Sequence, residues 1–309
     1  MNMSEKEEEW KSWHFRGSTG ENIAFAAFYI LVLVFAVPGN TLALWAFSKQ
    51  KSSSPSKVFL CHLAIADLSY VLLLPMRVVY HLNDSLWPLG HVLCQLGGFL
   101  FYLNMYCSIY LMSLISLDRC LSVVLPLKSR AVRKSMYAKI IVGTLWILVT
   151  VSTCPMLFSK RDITQNKTCN NLYLEKMSHT ALISTVVAFA IPVSCIILSY
   201  LLIMLRIKAL KRSDNERPIK SKVRSMIILI IMNFLIAFLP YLISRVLYNH
   251  MGHTLDHVTS TKQILDRLNW ITSALTCVSG LLDPLMYFFL NTAFRSKVRQ
   301  VFSRNRTGK

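Results

Sequence analysis

Seven long apolar runs constrain this chain more than any other feature of its sequence. A helix needs about 20 mostly apolar residues to cross the hydrocarbon core of a bilayer. Runs of this kind lie at about 22–48, 57–82, 92–125, 137–158, 178–208, 221–249 and 262–289. In lipid, every backbone polar group must be satisfied internally, which favours helices over the short alternating strands of a membrane barrel. The sequence therefore predicts an all-α membrane protein, built as a seven-transmembrane helix bundle.

Basic residues between the runs predict how the bundle is oriented. Lys and Arg are concentrated after the first, third, fifth and seventh runs, at 49–57, 128–139, 206–224 and 295–309. The positive-inside rule places these segments in the cytoplasm and the N-terminus outside, as in a multi-pass plasma-membrane protein. The net charge of +19 is dispersed over the same segments. It therefore indicates topology, and nucleic acid is excluded as a partner.

The same reasoning divides the chain into three parts. Residues 1–21 are predicted to be extracellular, and residues 22–289 form the seven-helix domain. Residues 290–309 contain NTAFRSKVRQVF, in which apolar residues recur at helical spacing with basic ones between them. This pattern predicts a short amphipathic helix on the inner leaflet, bound to lipid, followed by a cytoplasmic tail.

Glycosylation acceptors and two cysteines fall where the topology predicts the outside. Asn-x-Ser/Thr acceptors occur at Asn2, Asn83 and Asn166. Cys94 lies at the outer start of the third run and Cys169 in the second outer loop, whereas the other cysteines lie in or beside the runs. Because the exterior is oxidising, these two are expected to form a disulfide that ties the loop over the mouth of the bundle.

Acidic side chains inside the runs need a reason, because a charge at a helix centre costs about 2.5–3.5 kcal/mol on insertion scales. Asp67 and Asp283 place two carboxylates at mid-depth, with Asn40 and Ser108 nearby. Two buried anions repel each other unless one is protonated or a cation sits between them. An allosteric sodium ion suits this oxygen cluster, and a plain hydrogen-bonded polar core is the alternative.

Two arginines lie nearer the outer face. Arg77 and Arg245 bring positive charge to this region. We expect that no acidic residue in the outer halves of these runs pairs with them. Hydrogen-bond donors around them are Tyr80, Tyr102, Tyr106 and Tyr241. Since arginine grips carboxylate or phosphate with two parallel hydrogen bonds, one interpretation is a pocket for a small anionic extracellular ligand. The other is that both guanidinium groups reach water or hold backbone carbonyls.

Several motifs occur in order between residues 22 and 302. They are GNTLALW, LAIADL, DRC at Asp118–Cys120, Trp146, Pro192 with Tyr200, FLP at Phe238–Pro240 and DPLMY at Asp283–Tyr287. Together they resemble the rhodopsin-like (class A) G-protein-coupled receptors. FLFYLNMYCSIY, HLNDSLWPLG, LEKMSHTALIS and LDPLMYFF are most similar to the nucleotide, cysteinyl leukotriene and lysophospholipid branch of that family.

The resemblance implies a receptor that binds an extracellular ligand and activates a heterotrimeric G protein of the inhibitory class. Arrestin and receptor kinases are further implied partners. Arg119 would be held by Asp118 at rest and meet the G protein on activation, supported by Tyr200 and Tyr287. The resemblance also implies a packing group that couples the ligand to the sixth helix, with Phe238 in place of the usual tryptophan: Ile109, Pro192, Phe234 and Phe238.

One departure from the family supports an alternative function. Many relatives carry an acidic residue low in the sixth helix, where this chain has Lys220, Ser221 and Lys222. A lock between that helix and Arg119 is therefore not expected. The alternative is a receptor with high basal signalling, whose second outer loop fills its own pocket.

Other functional classes lack their motifs. Neither GxSxG nor HExxH occurs, so no enzyme is expected, and residues 264–289 contain no lysine for a retinal Schiff base. The runs do not repeat as two halves, as a transporter would require. No cofactor beyond the sodium ion is implied. His250, His253 and His257 have a spacing that suits zinc, and a flexible polar loop explains them equally well.

Overall fold

A computed structural model describes residues 16–50, 54–126, 129, 133–158, 169, 172–173, 179–209, 225, 227–254, 259–290 and 294–296. Within these residues seven helices are long and apolar enough to cross a membrane. The spans are Thr19–Ser48, Pro55–Leu82, Gly90–Val124, Ser135–Phe158, Thr185–Lys208, Ile227–Tyr248 and Thr261–Phe289. The prediction of an all-α, seven-span protein is confirmed, and the spans are numbered below in this order.

Several spans are built from more than one helical segment. The helices are Thr19–Ser48, Pro55–Val71, Leu74–Leu82, Gly90–Val124, Ser135–Thr153, His179–Ala209, Leu239–Thr254, Thr259–Leu275 and Ser279–Leu290. Short 3-10 segments at Cys154–Phe158 and Thr276–Val278 extend the fourth span and interrupt the seventh. A π-helical turn at Phe234–Phe238 precedes Pro240 in the sixth span. Such turns relieve the clash of a proline ring with the preceding carbonyl.

Six of the spans close into a ring in the order first, second, third, fifth, sixth and seventh, and the fourth packs outside it against the second and third. The third span packs against the second, fourth and fifth, while the first packs against the second and the seventh. The sixth contacts both the fifth and the seventh. The third span is the most buried, with 72% of its most apolar stretch inside the bundle, whereas the share for the fourth span is 17%. Side chains on the third span therefore face the interior of the bundle, and most of the fourth faces lipid.

Local sequence explains where the first two spans begin. The Ser18 hydroxyl accepts from the Glu21 amide, and the Glu21 carboxylate accepts from the Ser18 amide, which completes a capping box. Ser54 caps the second span, and Pro55 occupies its first turn, where a missing N–H costs nothing.

The first and seventh spans approach each other closely at Gly39. A Cβ atom at this position would lie 2.8 Å from the Pro284 ring, so only glycine fits the contact. One residue further on, the Asn40 amide donates to the Gly280 carbonyl at 3.0 Å. This contact places the polar residues of the first and seventh spans at the same depth in the bundle.

The chain after the seventh span is described only at residues 294–296, which are helical. Phe294 is buried against Phe47 and Tyr287. The rest of the predicted amphipathic helix and tail, residues 297–309, lies outside the described residues.

Candidate functional site

The second outer loop enters the outer half of the bundle. A disulfide joins Cys94 to Cys169 with 5.6 Å between their Cα atoms, as the sequence predicts. Shortly after it, Leu172 and Tyr173 are almost completely buried, at 0% and 1% exposure. The Asn269 amide of the seventh span donates to the Tyr173 carbonyl at 2.8 Å. These two loop residues therefore occupy the space between the outer ends of the spans.

Arg77 is completely buried beneath this loop. One terminal nitrogen donates to the Tyr29 hydroxyl at 3.1 Å and to the Ser273 carbonyl at 3.3 Å. The other donates to the Leu172 carbonyl and the Ser273 hydroxyl, both at 3.1 Å. Among the described residues no carboxylate lies within ion-pair distance of it. Arg77 thus joins the second span to the first span, the seventh span and the loop.

Aromatic rings take the place of a counter-ion around Arg77. Its guanidinium carbon lies 4.7, 5.1 and 5.5 Å from the ring centres of Tyr173, Phe101 and Tyr29, respectively. The negative faces of aromatic rings attract a cation, most strongly where water is excluded. The charge is therefore stabilised without an acid.

A chain of hydrogen bonds extends from Arg77 to the start of the first span. Tyr29 and Tyr173 share a hydrogen bond at 3.2 Å, and Tyr173 in turn bonds to His81 Nε2. His81 Nδ1 lies 2.9 Å from the Asn22 side-chain oxygen. Since that oxygen can only accept, His81 donates from Nδ1 and a neutral ring accepts at Nε2. Burial raises the pKa of Tyr173 well above its ordinary value, so its hydroxyl keeps the proton that it donates.

Trp270 closes the other side of the loop. Its ring stacks on Tyr173 at 5.3 Å and meets His81 and Tyr80 edge-on. Tyr80 is itself buried. Two of the proposed ligand contacts, Arg77 and Tyr80, therefore lie behind the loop residues, where a ligand would reach them only by displacing Tyr173.

The remaining proposed ligand contacts lie on the opposite side of the bundle. Tyr102 and Tyr106 stack in parallel at 5.8 Å, and Tyr106 reaches Thr185 of the fifth span at 3.5 Å. Tyr241 packs against Phe101 at 5.3 Å, the ring that also faces Arg77. The structure thus divides the predicted pocket in two, with Phe101 between the halves.

Arg245 stands at the edge of this second half and is partly exposed. Its guanidinium carbon lies 5.8 Å from the ring centre of Tyr248, whose hydroxyl donates to Asp266 at 3.0 Å. Asp266 is a buried acid near the outer end of the seventh span that the sequence reasoning overlooked. The Tyr248 side chain thus contacts both Arg245 and Asp266.

At mid-depth the polar residues of four spans meet. The Asn233 amide donates to Asp283 at 2.8 Å, and the Tyr287 hydroxyl lies 3.3 Å from Asn40 and 3.5 Å from Asp67. The carboxyl groups of Asp67 and Asp283 are close enough to interact.

The donor set of this mid-depth cluster fits a sodium ion. Asp283 Oδ2 and Asn233 Oδ1 are buried without a hydrogen-bond partner among the described residues. Ser108, also buried, accepts from the Asn104 amide at 3.4 Å. Oxygen ligands with two unsatisfied members suit a hard monovalent cation. Asn40, Asp67, Ser108 and Asp283 would hold it, and Asn233 would add an oxygen ligand that the sequence reasoning missed.

A further group of polar side chains lies near the inner end of the third span, below the network around Arg77 and the mid-depth cluster. Asp118 accepts two hydrogen bonds from Arg133, at 2.7 and 3.1 Å, and one from Ser56 at 2.6 Å. Arg119 Nε lies 4.0 Å from the same carboxylate. Tyr200 is partly buried on the fifth span and Tyr287 completely buried on the seventh.

The residues of the expected packing group are all buried. Ile109, Pro192, Phe234 and Phe238 occupy the third, fifth and sixth spans, and the two phenylalanine rings stack at 6.4 Å. Phe234 and Phe238 are also the first and last residues of the π-helical turn.

Some predicted features fall beyond the part of the chain that the structure describes. Asn83 is exposed at the end of the helix Leu74–Leu82, while Asn2 and Asn166 lie outside the described residues. So do Lys220, Ser221 and Lys222, together with His257 and the side chains of His250 and His253. The described residues contain no group of three His, Cys, Asp or Glu side chains that could hold a metal ion.

Comparisons with known proteins find one matching family and several similar receptors. The family described as 7 transmembrane receptor (rhodopsin family) matches residues 39–287. The chain is 46% identical to the human uracil nucleotide/cysteinyl leukotriene receptor over 281 residues, which cover 89% of this chain and 75% of that receptor. It is 31% identical to the pig cysteinyl leukotriene receptor 1, over 89% of this chain and 83% of that receptor. It is 32% identical to a rat purinoceptor, over 84% of this chain and 71% of that receptor.

Proposed function

This chain belongs to the rhodopsin family of seven-transmembrane receptors, and we propose that it converts binding of an extracellular anionic ligand into activation of an inhibitory heterotrimeric G protein. It is a multi-pass membrane receptor and not an enzyme, like the receptors that it matches. The ligand is nucleotide-like or lipid-like, and the N-terminus is extracellular. Arrestin and receptor kinases are its further cytoplasmic partners.

The observation that carries the proposal is the position of Arg245. It is a partly exposed cation on the sixth span, close to the group of tyrosines formed by Tyr102, Tyr106 and Tyr241. Arginine offers paired donors to phosphate and carboxylate groups, and tyrosine hydroxyls add single donors. The names of the matched relatives also point to nucleotides and leukotrienes, which are anionic.

The inner end of the bundle supports the proposed activation of a G protein. Asp118 and Arg119 lie at the cytoplasmic end of the third span by the predicted topology. The packing group places Phe234 and Phe238 in a π-helical turn of the sixth span. Such a turn is a local irregularity at which the helix can move. A ligand on Arg245, about two turns beyond Phe238 on the same helix, would bias this movement.

A second candidate function rests on the buried loop. Leu172 and Tyr173 already fill the space above Arg77, as a tethered ligand would. In that function the chain signals without an added ligand, and Arg245 contributes little. The sodium site of Asp67 and Asp283 would oppose signalling in either function, because a bound cation favours the arrangement that holds it.

The experiment is inhibition of cyclic AMP accumulation, corrected for the amount of receptor at the cell surface. We expect that an anionic nucleotide or lipid found by screening loses about ten- to a hundredfold in potency on Arg245→Ala, the worth of one charge-assisted contact. Arg267→Ala is the matched control, because Arg267 is an outer arginine that pairs with Glu21 at 3.0 Å.

Two results would contradict the proposed ligand site. Equal losses in Arg245→Ala and Arg267→Ala would reduce the effect to general surface charge. Ligand-free signalling that requires Arg119, together with an unchanged ligand potency in Arg245→Ala, would favour the self-filled receptor.

A further inference from the structure

The carboxylate of Asp118 is engaged by residues other than its neighbour Arg119. Arg133 Nε donates to one oxygen at 2.7 Å, and a terminal nitrogen of Arg133 donates to the other at 3.1 Å. The Ser56 hydroxyl donates to that second oxygen at 2.6 Å. The Asp118 side chain is 4% exposed, whereas that of Arg133 is 25% exposed. The carboxylate therefore makes its bonds largely away from bulk water.

Arg119 is left outside this arrangement. Its Nε lies 4.0 Å from the nearer Asp118 oxygen, beyond hydrogen-bond distance. The same nitrogen is buried and has no hydrogen-bond partner among the described residues. A guanidinium binds a carboxylate most strongly through two parallel hydrogen bonds. Since Arg133 occupies that geometry, Asp118 cannot offer it to Arg119 at the same time.

The backbone between the third and fourth spans sets the position of Arg133. The Arg133 amide donates to the Ser129 carbonyl at 2.8 Å, and the Ser129 amide donates to the Leu125 carbonyl at 2.9 Å. Ser129 is buried. The fourth-span helix begins two residues after Arg133, at Ser135. Arg133 is thus bonded to the buried Ser129 through its amide and is followed closely by the fourth-span helix.

We propose that Arg133 is a positioning residue that holds Asp118 away from Arg119 and thereby keeps Arg119 available to the G protein without a ligand. This inference rests on the proposed function, in which Arg119 contacts the G protein. Arg119 either binds Asp118 or is free, and Arg133 competes for the same carboxylate. A competitor that binds only in the second arrangement increases its population.

The first test measures ligand-free inhibition of cyclic AMP accumulation per receptor at the cell surface. Arg133→Ala should lower it by about three- to fivefold, the worth of a partly exposed ion pair. Arg133→Lys should give a smaller fall, because lysine keeps the charge and loses the paired donors. Lys134→Ala is the matched control. It removes the same charge from the next, exposed position and should change nothing.

The second test asks whether Arg133 acts through Asp118. In an Asp118→Asn background, Arg133→Ala should have no further effect on ligand-free signalling. An equal fall in both backgrounds would mean that Arg133 meets the G protein directly, and this would overturn the proposal. A rise in signalling on Arg133→Ala would also overturn it, because the pair would then stabilise the resting receptor.

A third measurement separates failure of this inference from failure of the proposed function. Thermal unfolding of the purified full chain in detergent, for the parent, both single variants and the double variant, reports the Arg133–Asp118 pair without any signalling. Non-additive losses support the pair, and additive losses overturn the inference. If the parent signals no more than Arg119→Ala in any G-protein reporter, both without a ligand and with the ligand found by screening, the proposed function fails. If the losses in thermal stability are non-additive in that case, the Arg133–Asp118 pair is supported but its proposed effect on signalling is overturned.

Discussion

Two arginines, one near each end of the bundle, differ in how their charge is balanced. Arg77 has no exposed surface and binds two hydroxyls, two backbone carbonyls and three aromatic rings. Arg119 is partly exposed, and the acid beside it is bound by Arg133. Arg77 is therefore fixed by many partners from distant parts of the chain, whereas Arg119 is available to a new partner.

The difference shows how burial decides the role of a charged residue. A buried cation whose terminal nitrogens make four hydrogen bonds, as in Arg77, is costly to release, since each abandoned partner loses a hydrogen bond away from water. A partly exposed cation with a weakened neighbour exchanges partners at little cost. The outer arginine therefore suits structure, and the inner one suits switching.

Arg77→Ala should have the largest effect on stability. It leaves the Leu172 carbonyl and both acceptors of Ser273 without their donor, so we expect a loss of at least about 3 kcal/mol in the free energy of unfolding. Thermal unfolding of purified receptor measures this loss. Arg245→Ala, at a partly exposed position, is the comparison and should cost much less. Equal stability of Arg77→Ala and the parent would show that Arg77 is not the structural centre of the outer half.

Tyr173→Phe should have an intermediate effect. The substitution keeps the ring against Trp270 and removes the hydroxyl that connects Tyr29 to His81. The expected cost is about 1–2 kcal/mol, because two buried groups lose a partner. Tyr137→Phe, on an exposed side chain, is the control in the same unfolding assay. If the loop acts as a tethered ligand, ligand-free signalling should fall as well. Unchanged stability would place the hydroxyl outside the network.

Arg119→Ala should have the smallest effect on stability and a large effect on signalling. Its ion pair with Asp118 is long and partly exposed, so we expect a change of less than about 1 kcal/mol. Nucleotide exchange on the G protein should fall to background at equal surface expression. A variant that unfolds as readily as Arg77→Ala would remove the distinction between the two arginines.

Much of the fold follows from the sequence alone. The length and apolarity of the runs gave the number of spans. Five of the spans begin and end within a few residues of their predictions, whereas the fifth begins at Thr185 and the sixth is described only from Ile227. The Cys94–Cys169 disulfide also follows, because the topology leaves two cysteines outside. These features depend on local composition and covalent order, which the sequence contains directly.

The site was predicted less completely. Asp67, Arg77 and His81 recur in the sequence at steps that put them on one side of a helix, and in the structure all three are buried. Nothing in that spacing indicates that Tyr29 and Asn22 of the first span would complete their network. The signals in the sequence for these partners were the polar residues of the first run and the residues just after Cys169.

The sequence by itself determined that this chain crosses a membrane as seven helices, which helical faces are polar, and to which receptor family it belongs. Only the tertiary structure decided that a loop carbonyl, 95 residues away, would bind Arg77, and that Arg133 and not Arg119 would hold Asp118. The physical reason is that apolar length and period are local quantities. The choice among competing hydrogen-bond partners depends on which side chains packing brings within about 3 Å of each other.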